Sequence, residues 1–353
     1  MKYITYKTYY NGKKLLQPGG VGHSLTDYIT SYIISKLNPD VKFLHNKLVF
    51  NVETQYLLGF NTILEEDRYL WNDFLNLDYF DLKIDQEKIE HKFLQLSGDY
   101  MAIDYNRLNN ILNENVENDI IYCLTNNNRI FLLDLYHYEK NNLVRDNITR
   151  EVVDDFRNAF YSKHKKIINK KKKINIYIRR GDLHAVNKRK TTDYNFYNFE
   201  FLVFTYIYNN LKNEIENENK YEINIISAGS DDEMNEIKEQ FSIFKNINFY
   251  LNQGQFPIFT ILTQSDLLIF GTSAFPFTAS LYSDALVIYR KNDYYLIDVT
   301  HIKNFKFFEN YIFVDQVSEL ENETKFINYL DYLKNYVNDN IEEIECNNNS
   351  RSE

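Results

Sequence analysis

Two cysteines in 353 residues, Cys123 in an apolar run and Cys346 in a polar stretch near the end, lie too far apart to suggest a disulfide framework or a thiolate metal site. Long apolar runs are missing as well. No window holds the roughly 18 uninterrupted apolar residues of a membrane-spanning helix, and the opening MKYITYKTYYNGKK lacks the apolar stretch of a secretory signal. A cytoplasmic protein without a membrane span is expected. Positive charge is in deficit: 40 Lys and Arg against 50 Asp and Glu give a formal charge of −10, so nucleic acid is not expected as a partner. The basic runs at 163–173 and 188–190 are not interleaved with aromatics as single-strand binding would require. No His-x-x-x-His pair or other convincing metal constellation occurs, so no metal is expected.

What is present is bulky apolar material. Hydrophobic residues make up 44% of the chain, with 30 Tyr and 26 Phe, which suits a folded protein with core enough for two domains. Glycine is scarce, at 10 residues, yet three of them crowd with Pro18 into QPGGVGHSLTDY. That cluster follows a β-rich opening and precedes Leu25, Tyr28, Ile29, Tyr32, Ile33 and Leu37, which recur at helical spacing. A strand, a glycine loop and a helix are expected there, with Gly20 and Gly22 letting the backbone approach a ligand. From Asp40 to Arg150 the pattern is mixed. VKFLH, KLVFNV, DIIYCL and IFLLDLYHY read as extended or buried segments, and LEEDRYLWNDFL reads as a helix. His45, His91 and His137 stand isolated, without a partner spacing that suggests chemistry.

From Glu151 onward helices alternate with five apolar strands: INIYIR, EINIISA, NINFYL, SDLLIFG and ALVIYR. This is the pattern of a parallel sheet covered on both faces. Ligands of such sheets bind at the carboxyl ends of the strands, where Arg179, Asp231, Asp232, Thr272 and Ser273 all fall. TKFINYLDYLKNYV near the end reads as an amphipathic helix, expected to pack back onto the first domain. The expected division is an N-terminal domain at 1–165, a Rossmann-like domain at 166–316, and a terminal helix and tail at 317–353.

The sharpest motif is IRRGD, at 178–182. Adjacent residues of a strand face opposite ways, so the two arginines do not form one local ion-pair lattice, and an anion is the natural partner. The planar guanidinium grips phosphate oxygens in bidentate fashion. Gly181 frees the turn, and Asp182 is an acceptor that can hold an arginine in place.

NIYIRRGDL resembles the His-x-Arg-Arg-Gly-Asp motif of the α1,2- and α1,6-fucosyltransferase superfamily, which includes the protein O-fucosyltransferases. GGVGHSLTDY is similar to the glycine loop of that superfamily, IISAGSDDEM to its strand and acidic turn, and TQSDLLIFGTSAFPFTASLYS to its later strand, turn and helix. The four stretches run in matching order from about residue 18 to about residue 290. The resemblance implies an α/β fold of the GT-B type, two Rossmann-like domains facing across a cleft, the second holding the nucleotide sugar. It implies inverting, metal-independent transfer of fucose from GDP-fucose to a hydroxyl of a glycan or protein. Arg179 maps onto the arginine that contacts the β-phosphate, with Arg180 and Asp182 supporting it. Asp231 and Asp232 would lie near the nucleotide, and Thr272, Ser273 and Ala274 would offer hydroxyls and amides to the pyrophosphate. Two positions depart from the pattern: Tyr177 replaces the usual histidine, and His23 replaces an asparagine of the glycine loop. His23 thereby becomes a candidate general base or ligand contact. The departures leave open another nucleotide sugar on the same fold, or a relative that binds a glycan or nucleotide without turnover.

Overall fold

Two sheets, parallel in every pairing, organise the chain. The computed structural model describes residues 1–6, 9–10, 13–14, 21–47, 70–82, 84–94, 105–114, 118–124, 144–166, 171–180, 194–217, 220–271, 273–290, 310–314 and 316–336. The first sheet contains β1 (Lys2–Tyr6), β4 (Val41–Phe43), β5 (Glu90–Leu94) and β6 (Ile120–Leu124), in the order β4-β1-β6-β5. A two-residue hairpin of β2 (Tyr9–Tyr10) and β3 (Lys13–Lys14) stands apart from it. The second sheet contains β7 (Lys172–Arg179), β8 (Tyr221–Ala228), β9 (Ile247–Leu251), β10 (Leu267–Phe270), β11 (Leu286–Arg290) and β12 (Tyr311–Val314), in the order β12-β11-β10-β7-β8-β9. Counted from its own first strand, that is the doubly wound 3-2-1-4-5-6 order of a Rossmann sheet, with its switch point between β7 and β10.

The five strands expected from the sequence are all present. A sixth, β12, adds YIFV at the edge. β5 also escaped the sequence reading: EHKFL is an edge strand, and only its last residue is buried, so it has no apolar run to announce it. KLVFNV and IFLLDLYHY fall largely or wholly outside the described residues.

Helices cover both faces of the second sheet. In chain order the helices are α1 (Val21–Leu37), α2 (Leu70–Phe74), α3 (Tyr105–Asn113), α4 (Val144–Lys163), α5 (Tyr194–Asn210), α6 (Lys212–Asn217), α7 (Asp231–Phe241), α8 (Gln255–Thr263), α9 (Ala274–Ser280) and α10 (Thr324–Asn335). α5 passes into α6 across Leu211. Strand alternation sorts the side chains of β7. Ile174, Ile176 and Ile178 enter a core with α5, α7 and α10, while Tyr177 packs into a second core with α8 and α9. That second core runs on without interruption into α1, α4 and the inner face of the first sheet. Trp71 of α2 joins the halves, its ring 4.6 Å from that of Phe256 and 5.3 Å from that of Phe259. Arg157 of α4 donates to the Leu281 carbonyl and to Asp284, both at 2.8 Å.

The terminal helix does not return to the first domain. Phe326, Leu330 and Leu333 of α10 enter the outer core of the second sheet. The Tyr329 hydroxyl donates to the Asp266 carbonyl at 2.8 Å, and Tyr221 donates to the Leu333 carbonyl at 2.6 Å. Its amphipathic stripe predicts burial, but a stripe does not choose between two sheets.

Three strands repeat the pair Ile-Asn, and the register aligns Asn175, Asn224 and Asn248 as one cross-strand row. Asn248 donates to Asn224 at 3.0 Å, Asn224 to Asn175 at 2.8 Å, and Asn175 to the Ser265 hydroxyl at 2.7 Å. Leucine at 224 strands an acceptor on the fully buried Asn175, whereas the exposed Asn248 can turn its donor to water. The orphaned buried acceptor costs about 1–3 kcal/mol. Asn224→Leu is therefore expected to lower the urea midpoint despite its greater apolarity. An unchanged or raised midpoint would show that the ladder adds nothing.

His45 is not isolated in space. Its Nδ1 lies 2.6 Å from the buried Tyr28 hydroxyl and its Nε2 3.2 Å from Asp78. Burial lowers its pKa, against the opposing pull of Asp78. A folded state that keeps this ring neutral gains stability as pH rises and loses it as pH falls below about 6.5, where the unfolded histidine takes a proton. His45→Gln is expected to flatten that part of the profile of melting temperature between roughly pH 7 and pH 5. Parallel profiles for the two proteins would count against the coupling. His91 is also engaged, Nε2 3.0 Å from the Gln86 carbonyl and Nδ1 3.7 Å from the Cys123 sulfur. His137 lies outside the described residues.

Candidate functional site

The carboxyl ends of β7 and β10 are neighbours at the switch point, with Arg179 at the end of the first and Ser273 shortly after the second. Arg179 closes β7, paired in register with Ala228 of β8. It shares the face of Tyr177, whose ring lies 6.1 Å from that of Phe275 in the first turn of α9. Arg179 therefore stands one step further along the face that looks toward α9. Tyr177 is a packing residue of the inner core.

From the other sheet, α1 follows β1 and brings its first turn to the same place. A Cβ on Gly22 would stand 2.6 Å from both the Ala274 carbonyl oxygen and the Phe275 nitrogen, and closer still to the Ala274 carbonyl carbon. The absence of a side chain at Gly22 is thus explained by backbone-to-backbone packing of α1 on α9. His23 is the next residue of α1, which places its backbone at this junction.

Ser273 is the N-cap of α9, buried, with no side-chain capping bond. Its amide donates to the Gly271 carbonyl at 3.0 Å, so that amide is already engaged within the turn. Ala274 is buried against Gly22. Asp231 and Asp232 open α7 and are exposed. Ser230 caps that helix in a capping box with Glu233, and two acids in a first turn complement the helix dipole. The turn before them nonetheless reaches the site: a Cβ on Gly229 would lie 3.2 Å from the Cβ of Arg180. Gly20, Asp182 and Thr272 lie outside the described residues, as does the His23 side chain.

Sequence reasoning missed one acid. Glu200 of α5 is 7% exposed, and its carboxylate accepts a hydrogen bond from the Gly271 amide at 2.9 Å. Burial raises its pKa. Its own backbone amide, the charge of Arg180, the Gly271 amide and the charge of Arg290 all act against that rise. Arg290 ends β11, and its guanidinium carbon lies 5.9 Å from the centre of the Phe199 ring. Arg180, the residue after β7, donates from Nη1 to the Arg179 carbonyl at 3.2 Å. A signal was available, because Glu200 shares its helical face with Val203, Phe204 and Ile207, all buried.

Among the described residues no three His, Cys, Asp or Glu side chains come together as a metal-ligand set. No helix among them is long and apolar enough to cross a membrane.

Neither a protein-family model nor a curated protein matches the chain. Among solved structures it is similar to the E. coli heptosyltransferase WaaC with ADP, at 9% identity and a TM-score of 0.40, over 94% of this chain and 100% of that one. A likeness of that degree assigns neither a residue nor a substrate.

Proposed function

We propose that this chain is a glycosyltransferase of the GT-B type that holds a nucleotide diphosphate sugar at the switch point of its second sheet. The observation that carries the reading is topological. The strand order sets the Arg179 end of β7 beside the turn that follows β10, the crevice where doubly wound sheets take their ligands. Gly22 of the first unit packs against the start of α9, just after that turn. The ordered set of four motifs favours GDP-fucose as the donor and a glycan or protein hydroxyl as the acceptor.

In this reading Arg179 grips a phosphate oxygen and offsets the negative charge that grows on the departing diphosphate as the sugar–phosphate bond breaks. Arg180 supports and orients Arg179, bonded to its carbonyl. The tight contact between α1 and α9 keeps the two halves close, which favours orientation of the sugar and limits attack by water. His23, whose backbone sits at the junction, is the candidate to accept the acceptor proton.

The test is product analysis by mass spectrometry after incubation with GDP-fucose and a panel of other nucleotide sugars, with glycan and peptide acceptors. Transfer of fucose is expected. Transfer from a different donor keeps the fold-level reading and replaces the sugar. Binding of nucleotide with neither transfer nor donor hydrolysis overturns the enzymatic reading in favour of a binding protein.

A further inference from the structure

We propose that Arg157 and Tyr161 of α4 are positioning residues for the switch point: they hold the far end of α9, so that the first unit sets where the start of that helix meets a ligand. This rests on the reading of the switch point as a nucleotide site, and deepens it.

α9 is seven residues long and is held at both ends by helices of the first unit. At its start, Ala274 and Phe275 abut the backbone of Gly22 in α1. At its far end the chain leaves through Leu281, Tyr282 and Ser283, and the last carbonyls of a helix lack donors within it. α4 supplies donors to all three. Arg157 donates from Nε to the Leu281 carbonyl at 2.8 Å, from Nη2 to the Ser283 carbonyl, and from Nη1 to Asp284 at 2.8 Å. Tyr161 lies one turn further along the same face of α4. Its hydroxyl donates to the Tyr282 carbonyl at 2.9 Å, with the Thr263 carbonyl of α8 3.3 Å away.

α4 is joined to α1 in turn. The Tyr32 hydroxyl donates to Asp155 at 2.6 Å, and Lys36 donates to Glu151 at 2.6 Å. The three helices therefore close a triangle, α1 on α9, α9 on α4 and α4 on α1. The second sheet keeps its own hold on α9: the Ser280 and Tyr311 hydroxyls are bonded, and the Ser283 hydroxyl donates to the Ser265 carbonyl at 3.2 Å. Removing the clamp thus loosens the helix without undocking it.

Water could satisfy the same carbonyls, since the Asp284 side chain beside them is 61% exposed. An arginine ordered there gives up rotamer freedom, a cost that the fold alone does not require. What the clamp adds is a fixed reference. α9 spans only about 10 Å, and two hydrogen-bonded turns move as one piece, so a shift at Leu281 is passed to Ser273 beside the switch point.

The test uses the full-length protein, a double-mutant cycle and one ligand. Gly22 and Arg157 share no partner and act at opposite ends of α9, so their effects on urea unfolding add if each contact is local. If α9 is held between them, Arg157→Ala frees it to slide away from the methyl of Gly22→Ala. The double variant is then expected to lose less than the sum of the two single losses. GDP is titrated calorimetrically into the wild type, Arg157→Ala, Tyr161→Phe and Asn224→Leu. Arg157→Ala is expected to weaken GDP about three- to tenfold. Tyr161→Phe, which keeps the ring and loses one donor, is expected to weaken it less, and Asn224→Leu, which lowers stability away from α9, to bind as the wild type does. If Arg157→Ala does not fold, Arg157→Lys replaces it in both readouts, because lysine keeps the charge and loses the planar fork.

Additive losses in the cycle overturn the proposal, whatever the affinities. Wild-type affinity in a folded Arg157→Ala also overturns it, as does an equal weakening in Asn224→Leu, because the effect would then follow stability and not position. Failure of the nucleotide reading looks different: wild type does not bind GDP, while the cycle still shows α9 held from both ends.

Discussion

Replacing Arg179 by alanine is expected to abolish most of the binding of GDP and GDP-fucose while leaving the fold intact. The arginine ends β7 at the switch point and is only half-buried, so its removal opens no large cavity. A hydrogen bond to a charged partner contributes about 1.5–3 kcal/mol, which corresponds to roughly a tenfold to hundredfold loss of affinity. The loss is larger if the grip is bidentate. Calorimetric titration with EDTA present measures it directly, with donor hydrolysis followed in the same samples. Equal affinities for mutant and wild type would remove Arg179 from the site, and the motif resemblance would then describe ancestry alone. Added salt should weaken wild-type binding more than mutant binding, because the mutant has already lost the principal charge that salt screens.

The second large effect runs against local propensity. In a helix alanine is favoured over glycine by about 1 kcal/mol, so Gly22→Ala would be stabilising if α1 stood alone. It does not stand alone. The new methyl would lie 2.6 Å from two backbone atoms of Ala274 and Phe275, and backbone atoms have no rotamer by which to yield. α1 must retreat from α9, and both helices are pinned by the same continuous core. Overpacking of this kind costs about 1–3 kcal/mol or more, enough to outweigh the propensity gain. Thermal unfolding should show a lowered midpoint, and GDP titration a weakened site, since the junction is displaced. A Gly22→Ala protein as stable as the wild type would mean that the helices are further apart than this contact requires.

Much of the second sheet was legible. Its apolar strands and intervening helices announce themselves by period and punctuation, because the strands other than the edge strand β9 are buried on both faces and the helices carry an apolar stripe. The place of Arg179 at the end of its strand was legible too. β5 was not legible, because an edge strand with one buried residue carries no such signature. Glu200 was overlooked although it occupies a core position of its helix. An acid among phenylalanines reads as noise until the Gly271 amide is found opposite it.

The sequence by itself determined the alternation of strands and helices in the second sheet, the helix that follows the glycine cluster, and the delivery of an arginine to a strand end. These are local matters, fixed by side-chain period, by glycine's freedom and by the stereochemistry of a few consecutive residues. Tertiary structure alone decided the rest. Strand order placed β7 beside β10, and that adjacency brings together two strand ends that are far apart in the chain. Packing gave Gly22 its meaning, since only contact with Ala274, far away in the chain, explains why a side chain is excluded there. The same holds for α10, whose stripe demanded burial but left the partner open. An apolar face states that it must be covered. What covers it depends on surfaces contributed from elsewhere in the chain, and those exist only once the sheets have formed.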